Sequence, residues 1–384
     1  MNPLTRRQIS LLLYSGFTMM FWLSQGAQAE ARAEQGAQPM ADVWLQEQQV
    51  ESRLVGMAAV VIQGGEVRYL GAAGERKKGS GVAVTVADRW HLGSVTKSMT
   101  ATVLARLVEA GEVGWDTPLL PVLGLAETAY PDWQGLTLTQ LLSHTAGLPA
   151  NFSMLQSIKV SPDEAARPAA RLQAVREVLN KPPNSVPGSE FLYSNVGYTL
   201  AGVVIETLTG QGWEQAMRER LFAPLGLNSA GFGPPQSEGG GLSEPRGHRH
   251  LFGLTLAASE TADNNAIIGP AGTVHLTLED LARYGYEHLS GERGESTLLS
   301  ADGYQRLHRP NLEHYAFGWV LREGNAETGP MLWHNGSNTM WYSLLVLVPE
   351  HDTVVAMVFN EGDVPRADAL AWQWVEYSVQ QLNE

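Results

Sequence analysis

Ser94 and Lys97 stand three residues apart in Gly93-Ser-Val-Thr-Lys-Ser-Met-Thr100, the only Ser-x-x-Lys in the chain. Residues at that spacing share one face of a helix, so the lysine amine can reach the serine hydroxyl. A serine alcohol becomes a nucleophile when a neighbouring base takes its proton, and a lysine removed from water can be that base near neutral pH. Two further motifs follow, Tyr193-Ser-Asn195 and His334-Asn335-Gly336. The Tyr193 phenol can carry protons, its pKa lowered by a nearby ammonium. Asn195 offers a donor and an acceptor together, which suits holding Lys97 and a substrate carbonyl. Gly336 lets a substrate approach the backbone, and the N–H of Ser337 is positioned to join that of Ser94 in stabilising an oxyanion. Each motif also has an ordinary reading: a solvated lysine, a packing tyrosine, an Asn195 helix cap. His91-Leu-Gly93 satisfies His-x-Gly as well. The order of all three along one chain is what points to acyl transfer.

The elements that must position them can be read from periodicity. Met57 to Ile62 and Val67 to Leu70, separated by Gln63-Gly64-Gly65-Glu66, predict a hairpin. Val95, Met99, Val103 and Leu107 recur every four residues from Ser94 and stop before Gly111, so the serine begins a helix. Helices are expected over Thr137 to His144, Val196 to Leu208 and Trp213 to Leu221, and another from the capping signal Thr277-Leu-Glu-Asp280. Residues 231 to 265, with Pro234-Pro235 and three glycines from Gly239, read as one long loop. Phe317 to Leu321, Met331 to Trp333, Trp341 to Val348 and Val354 to Phe359 read as strands, and Ala367 to Leu382 as a helix. Strands near both ends predict an α+β fold: one antiparallel sheet flanked by N- and C-terminal helices, with an all-helical insertion at about 125–275.

The bulk properties narrow the setting. Arg6-Arg7, an apolar stretch from Ile9 to Leu23 and Ala27-Gln-Ala29 form the pattern of a cleaved signal peptide over residues 1–29. The stretch is too short for a membrane span. The remaining residues 30–384 are expected to form one hydrolase domain in the periplasm or secreted. The net charge of −14 becomes two units more negative without that segment, which disfavours nucleic acid as a partner. With no cysteine, disulfides, thiol nucleophiles and thiolate metal sites are excluded. No cofactor or metal is expected. His144 reads as a packing histidine at a helix end and His248-Arg-His250 as loop residues, with no acid at a metalloprotease spacing.

Together with Leu141-Leu-Ser-His-Thr-Ala-Gly-Leu-Pro149, Pro187-Gly-Ser-Glu-Phe-Leu-Tyr-Ser-Asn-Val-Gly-Tyr198, Leu221-Phe-Ala-Pro-Leu-Gly-Leu227 and Pro270-Ala-Gly272, the three motifs make the chain resemble the serine β-lactamase and penicillin-binding-protein superfamily. The branch holds class C β-lactamases, D-alanyl-D-alanine carboxypeptidases, D-aminopeptidases and β-lactamase-like esterases. The resemblance implies Ser94 as the acylated nucleophile, Lys97 as its activating partner, Tyr193 as proton shuttle, and Asn195 as a contact to substrate and lysine. Many β-lactamases of this superfamily carry Lys-Thr-Gly where this chain has His334-Asn335-Gly336. An ordinary imidazole is mostly neutral at pH 7, so carboxylate recognition should be weaker or pH-dependent. The expected activity is hydrolysis of a D-amino-acid peptide or β-lactam through an acyl-enzyme; the alternatives are a carboxylesterase and a non-catalytic envelope protein that binds cell-wall peptide. The expected partner in each case is a small molecule or short peptide.

Overall fold

The computed structural model of the 384-residue chain describes residues 40–157, 161–237, 239 and 241–382. The expected signal peptide lies outside the described residues. Six antiparallel strands form the main sheet, in spatial order Glu66–Gly74, Gly56–Gln63, Thr353–Phe359, Tyr342–Val348, Met331–Ser337 and Val320–Arg322. The two ends of the chain meet in its middle, where Met57 pairs with Phe359 and Gln63 with Thr353.

Both faces of the sheet are covered, so its central strands are continuous apolar runs rather than alternating ones. Met57, Ala59, Val355 and Met357 face a helix over 40–52 and the C-terminal helix Val364–Leu382, packing with Leu45, Leu370 and Trp374. Ala58, Val60, Ala356 and Val358 face the larger core beneath the helical region. Leu278–Glu292 lies so close to that face that a Cβ on Gly285 would stand 2.7 Å from Val354.

The helical region is closed by local signals and one buried ion cluster. Thr137 and Gln140 form a reciprocal capping box on Leu138–Leu142. Ser194 caps Asn195–Thr209, which ends at Gly210 in the left-handed region (φ 66). Arg171, wholly buried, pairs with Glu206 and Glu214 and so ties Arg167–Leu179 to the two helices that follow it.

Four sequence expectations change. Ser94 lies in a single 3-10 turn, Gly93–Val95, and the helix proper is Thr96–Glu109, with Met99, Val103 and Leu107 buried as its period required. Within the stretch from about 125 to 275, helices run as far as Leu225 and resume over Ala266–Ile268 and Gly269–Gly272, and short strands lie between them. Residues 231 to 265 are not one loop. Gly231–Phe232 pairs with Val274–Thr277 beside Arg89–His91, and His248–Leu251 forms a hairpin with Leu254–Ala257. That hairpin turns on Phe252 (φ 51) and Gly253 (φ 77), and its four-residue arms are too short for a period of two to stand out. Similarly, Gly318 (φ 83) interrupts the run from Phe317, so the edge strand starts only at Val320.

Candidate active site

The Ser94 turn and the strand carrying His334 touch through two glycines. A Cβ on Gly93 would lie 2.4 Å from the Ser337 nitrogen, and one on Gly336 would lie 2.0 Å from the Leu92 carbonyl and 2.4 Å from the Ser94 nitrogen. Gly93 also has φ 50, a conformation that side chains disfavour. No other residue permits this approach, and it brings the backbone nitrogens of Ser94 and Ser337 to one contact.

Behind the turn, Lys97 is wholly buried. Its Nζ stands 2.9 Å from Ser94 Oγ, 2.8 Å from Asn195 Oδ1 and 2.7 Å from the Ala271 carbonyl. None of the three is a carboxylate, and burial holds the lysine pKa well below its ordinary range. The set suits either protonation state. An ammonium donates to all three oxygens; a neutral amine donates to Asn195 and Ala271 and accepts from the Ser94 hydroxyl. Asn195 is itself oriented, donating from Nδ2 to Asn151 Oδ1 at 2.7 Å.

Tyr193 is held beside Ser94, to which its hydroxyl is hydrogen-bonded, and its ring centroid is 4.8 Å from Lys97 Nζ. Burial pushes the phenol up to about 12, the reverse of the lowering expected from sequence: loss of water outweighs the hydrogen bond with the Ser94 hydroxyl. His144 fixes the segment. Its carbonyl accepts from Leu192 N–H at 2.7 Å, its Nδ1 accepts from Ser194 N–H at 3.0 Å, and its ring lies 4.3 Å from that of Tyr193. It is thus a packing histidine whose structural task is to carry the Tyr193-Ser-Asn195 motif.

His334 lies on the sheet face that looks toward Lys97. It is buried, with Nε2 3.0 Å from the Tyr315 hydroxyl and Nδ1 near its own strand's Asn335 carbonyl at 2.5 Å. Burial, and then the charge of Lys97, push its pKa down to about 3. The pH-dependent cation anticipated here is therefore a neutral ring throughout the physiological range. Asn335, one residue on, points to the opposite face and donates to Tyr342 at 3.3 Å, so its amide is not brought to Ser94. Ser337 contributes its backbone to the contact with Gly93, while its Oγ accepts from Thr339 N–H.

Ser94, Tyr193, His334, Gly336 and Ser337 line a cleft of about 440 Å³ with Phe191, Glu313, His314, Tyr315 and Trp333. Its lining contains no lysine or arginine, and Glu313 is its sole carboxylate. One wall is an open strand edge, because Val320–Arg322 covers Met331–Trp333 of its neighbour and stops short of His334–Ser337.

Sequence reasoning missed Asn151, Tyr315 and the Ala271 carbonyl. Each meets its partner across a long separation, and a single sequence carries no local signal for that. The one cluster of metal-binding side-chain types among the described residues is His250, Glu361 and Asp363. Its members are already engaged: Glu361 accepts from Thr255 and Val55, Asp363 pairs with Arg366, and the carboxylates face opposite nitrogens of the His250 ring. His248 is spent between the Lys78 N–H and the Asn360 carbonyl.

This chain belongs to the β-lactamase family, whose model (Beta-lactamase) matches residues 37–378. It is a β-lactamase-like serine hydrolase. Among curated relatives it is 29% identical over 328 residues to penicillin-binding protein 4 of Amycolatopsis lactamdurans, covering 81% of this chain and 82% of that one. It is 28% identical over 335 residues to the D-alanyl-D-alanine-carboxypeptidase/endopeptidase AmpH of Escherichia coli K12, covering 82% of each. The octameric penicillin-binding protein homologue from Pyrococcus abyssi shares the fold, with a TM-score of 0.70 at 22% identity over 85% of this chain and 75% of that one. No helix among the described residues is long and apolar enough to cross a membrane.

Proposed function

We propose that Ser94 is the nucleophile of an acyl-enzyme hydrolase with Lys97 as its base. The observation that carries this is the buried Nζ 2.9 Å from Ser94 Oγ with no carboxylate to keep it charged. Lys97 takes the hydroxyl proton while Oγ bonds to the substrate carbonyl carbon. The N–H groups of Ser94 and Ser337 stabilise the resulting oxyanion. Collapse breaks the bond to the leaving group, which takes a proton from the neutral Tyr193 phenol, and the Lys97 ammonium restores it. Water then repeats the attack on the acyl-enzyme with the same base. Asn195 orients Lys97 and contacts substrate; His334 shapes the cleft as a neutral group.

The substrate is a D-amino-acid amide, short peptide or ester. The open edge at His334–Ser337 suits an extended chain laid alongside it. A cleft without a fixed cation, lined by Glu313, favours substrates whose ends are neutral or amino-bearing over those that present a free carboxylate, β-lactams among them. The charged start and apolar stretch of residues 1–29 support export with cleavage after Ala29, leaving residues 30–384 as one periplasmic or secreted hydrolase domain.

A panel of D-amino-acid p-nitroanilides, p-nitrophenyl esters and nitrocefin tests the reading. Turnover of the amides or esters above nitrocefin, lost in Ser94→Ala, is the expected result. A wild-type protein inert toward all three classes, or a Ser94→Ala variant as active as wild type, would sink it.

A further inference from the structure

Asp263 stands between the two backbone segments that meet at Gly93 and Gly336. Both its oxygens face His91 Nε2, Oδ1 at 3.1 Å and Oδ2 at 3.2 Å, and Oδ1 also accepts from Asn338 Nδ2 at 2.8 Å and from the Asn264 N–H at 2.7 Å. His91 is wholly buried and its Nδ1 accepts from Gly93 N–H at 3.1 Å, immediately before Ser94. Asn338, buried too, follows Ser337 and accepts from the N–H groups of Met340 and Trp341 at 3.2 Å. The directions are forced. A backbone N–H can only donate, so Nδ1 of His91 is the acceptor and the ring proton sits on Nε2, facing the carboxylate. Asn338 likewise must present its amide N–H₂ to Asp263, because its oxygen is taken. A carboxylate, an acceptor at both ends, meets these donors without turning an N–H toward any of them.

We propose that Asp263 is a positioning residue that clasps His91 to Asn338 and thereby sets the spacing of the Ser94 and Ser337 N–H groups. The inference rests on the reading of Ser94 as nucleophile and of those two N–H groups as its oxyanion donors. Asp263 touches no reacting atom; it acts through the chains Asp263–His91–Gly93 and Asp263–Asn338–Ser337. Donors to a developing oxyanion lose most of their effect when displaced by a fraction of an ångström, whereas ground-state binding is less sensitive to them. From sequence Asp263 reads only as a loop acid, since its partners lie 172 and 75 residues away.

A polarity swap tests this. In Asp263→Asn one end of the new amide must present N–H₂ either to Asn338 or to His91, donor against donor. In Asn338→Asp two carboxylates meet. The double variant Asp263→Asn/Asn338→Asp restores complementarity between the two side chains. The amide introduced at position 263 accepts from His91 through its oxygen, and its N–H₂ donates to the carboxylate introduced at position 338, at the loss of the contact that the Asn264 N–H made with the original oxygen. The measurements are kcat and KM on a p-nitrophenyl ester, the rate of fluorophosphonate labelling of Ser94, and the melting temperature of each protein. Each single variant should lower kcat and the labelling rate roughly 10- to 100-fold with KM little changed. The double variant should recover part of that loss and react faster than either single variant. Single variants that react at the wild-type rate would overturn the clasp, and so would a folded double variant no faster than the faster single one. A purely structural strut would move melting temperature without this split between kcat and KM. Failure of wild type to label at Ser94 would instead remove the nucleophile reading, and the clasp with it.

Discussion

Gly336 lies against Ser94 with no room between them: a single added carbon would stand 2.4 Å from the Ser94 nitrogen. The contact joins the N-terminal half of the site to a strand from the far end of the sequence. Proximity requires glycine at both positions of this junction, and at Gly93 the φ of 50 requires it as well.

Gly336→Ala should therefore act on chemistry first. The strand must shift away from the Ser94 turn, and kcat/KM should fall about 100-fold or more as the two N–H groups separate. Overpacking of a tight backbone contact should also cost about 1–3 kcal/mol of stability, visible in denaturant unfolding. Near-wild-type kcat/KM in a folded variant would mean that the contact has no part in the reaction.

The pH profile should report Lys97 and be silent on His334. Only the unprotonated amine accepts the serine proton, so kcat/KM should rise with pH through the lysine pKa, which burial places well below the ordinary lysine range. His334, pushed down to about 3, should add no inflection between pH 5.5 and 8.5. Lys97→Arg keeps a permanent cation and should abolish the rising limb along with at least roughly 10³-fold of activity. A profile that rises through the normal imidazole range and loses that rise in a His334 variant would contradict this assignment.

Buried neutral histidines should make the fold acid-labile. Burial lowers His275 to about 4 and His334 to about 3, and holds His144 and His288 well below the usual range. In the unfolded chain each titrates near about 6.5. The unfolded state thus takes up protons that the native state refuses, so the stability present above about pH 6.5 is lost as pH falls toward the folded values. Melting temperature should drop steadily from pH 7 to pH 4. A flat curve over that interval would mean that these rings are protonated, or reached by water, in the native protein.

Much of this was legible beforehand because the relevant residues are local. Ser94 and Lys97 are one helical turn apart, and the start at Ser94 and the stop at Gly111 bracket the helix. Tyr193 and Asn195 sit beside their own cap, Ser194. The sheet could be read from Val-rich runs buried on both sides. What could not be read depends on distant pairings or on solvent exclusion. Nothing in Asp263 or Asn151 announces partners many residues away. The direction of the Tyr193 shift, and the neutrality of His334, follow from burial that only the folded chain reveals. Asn335 shows the limit of motif reading: it stands between His334 and Gly336, yet alternation along the strand turns its side chain to the other face.

The central claim is that Ser94 Oγ forms the covalent bond. Treating the folded protein with a fluorophosphonate and mapping the adduct by peptide mass spectrometry tests it most directly. The account predicts one adduct, on Ser94, absent from Ser94→Ala and strongly slowed in Lys97→Arg. An adduct on another residue, or labelling of Ser94→Ala at the wild-type rate, would contradict it.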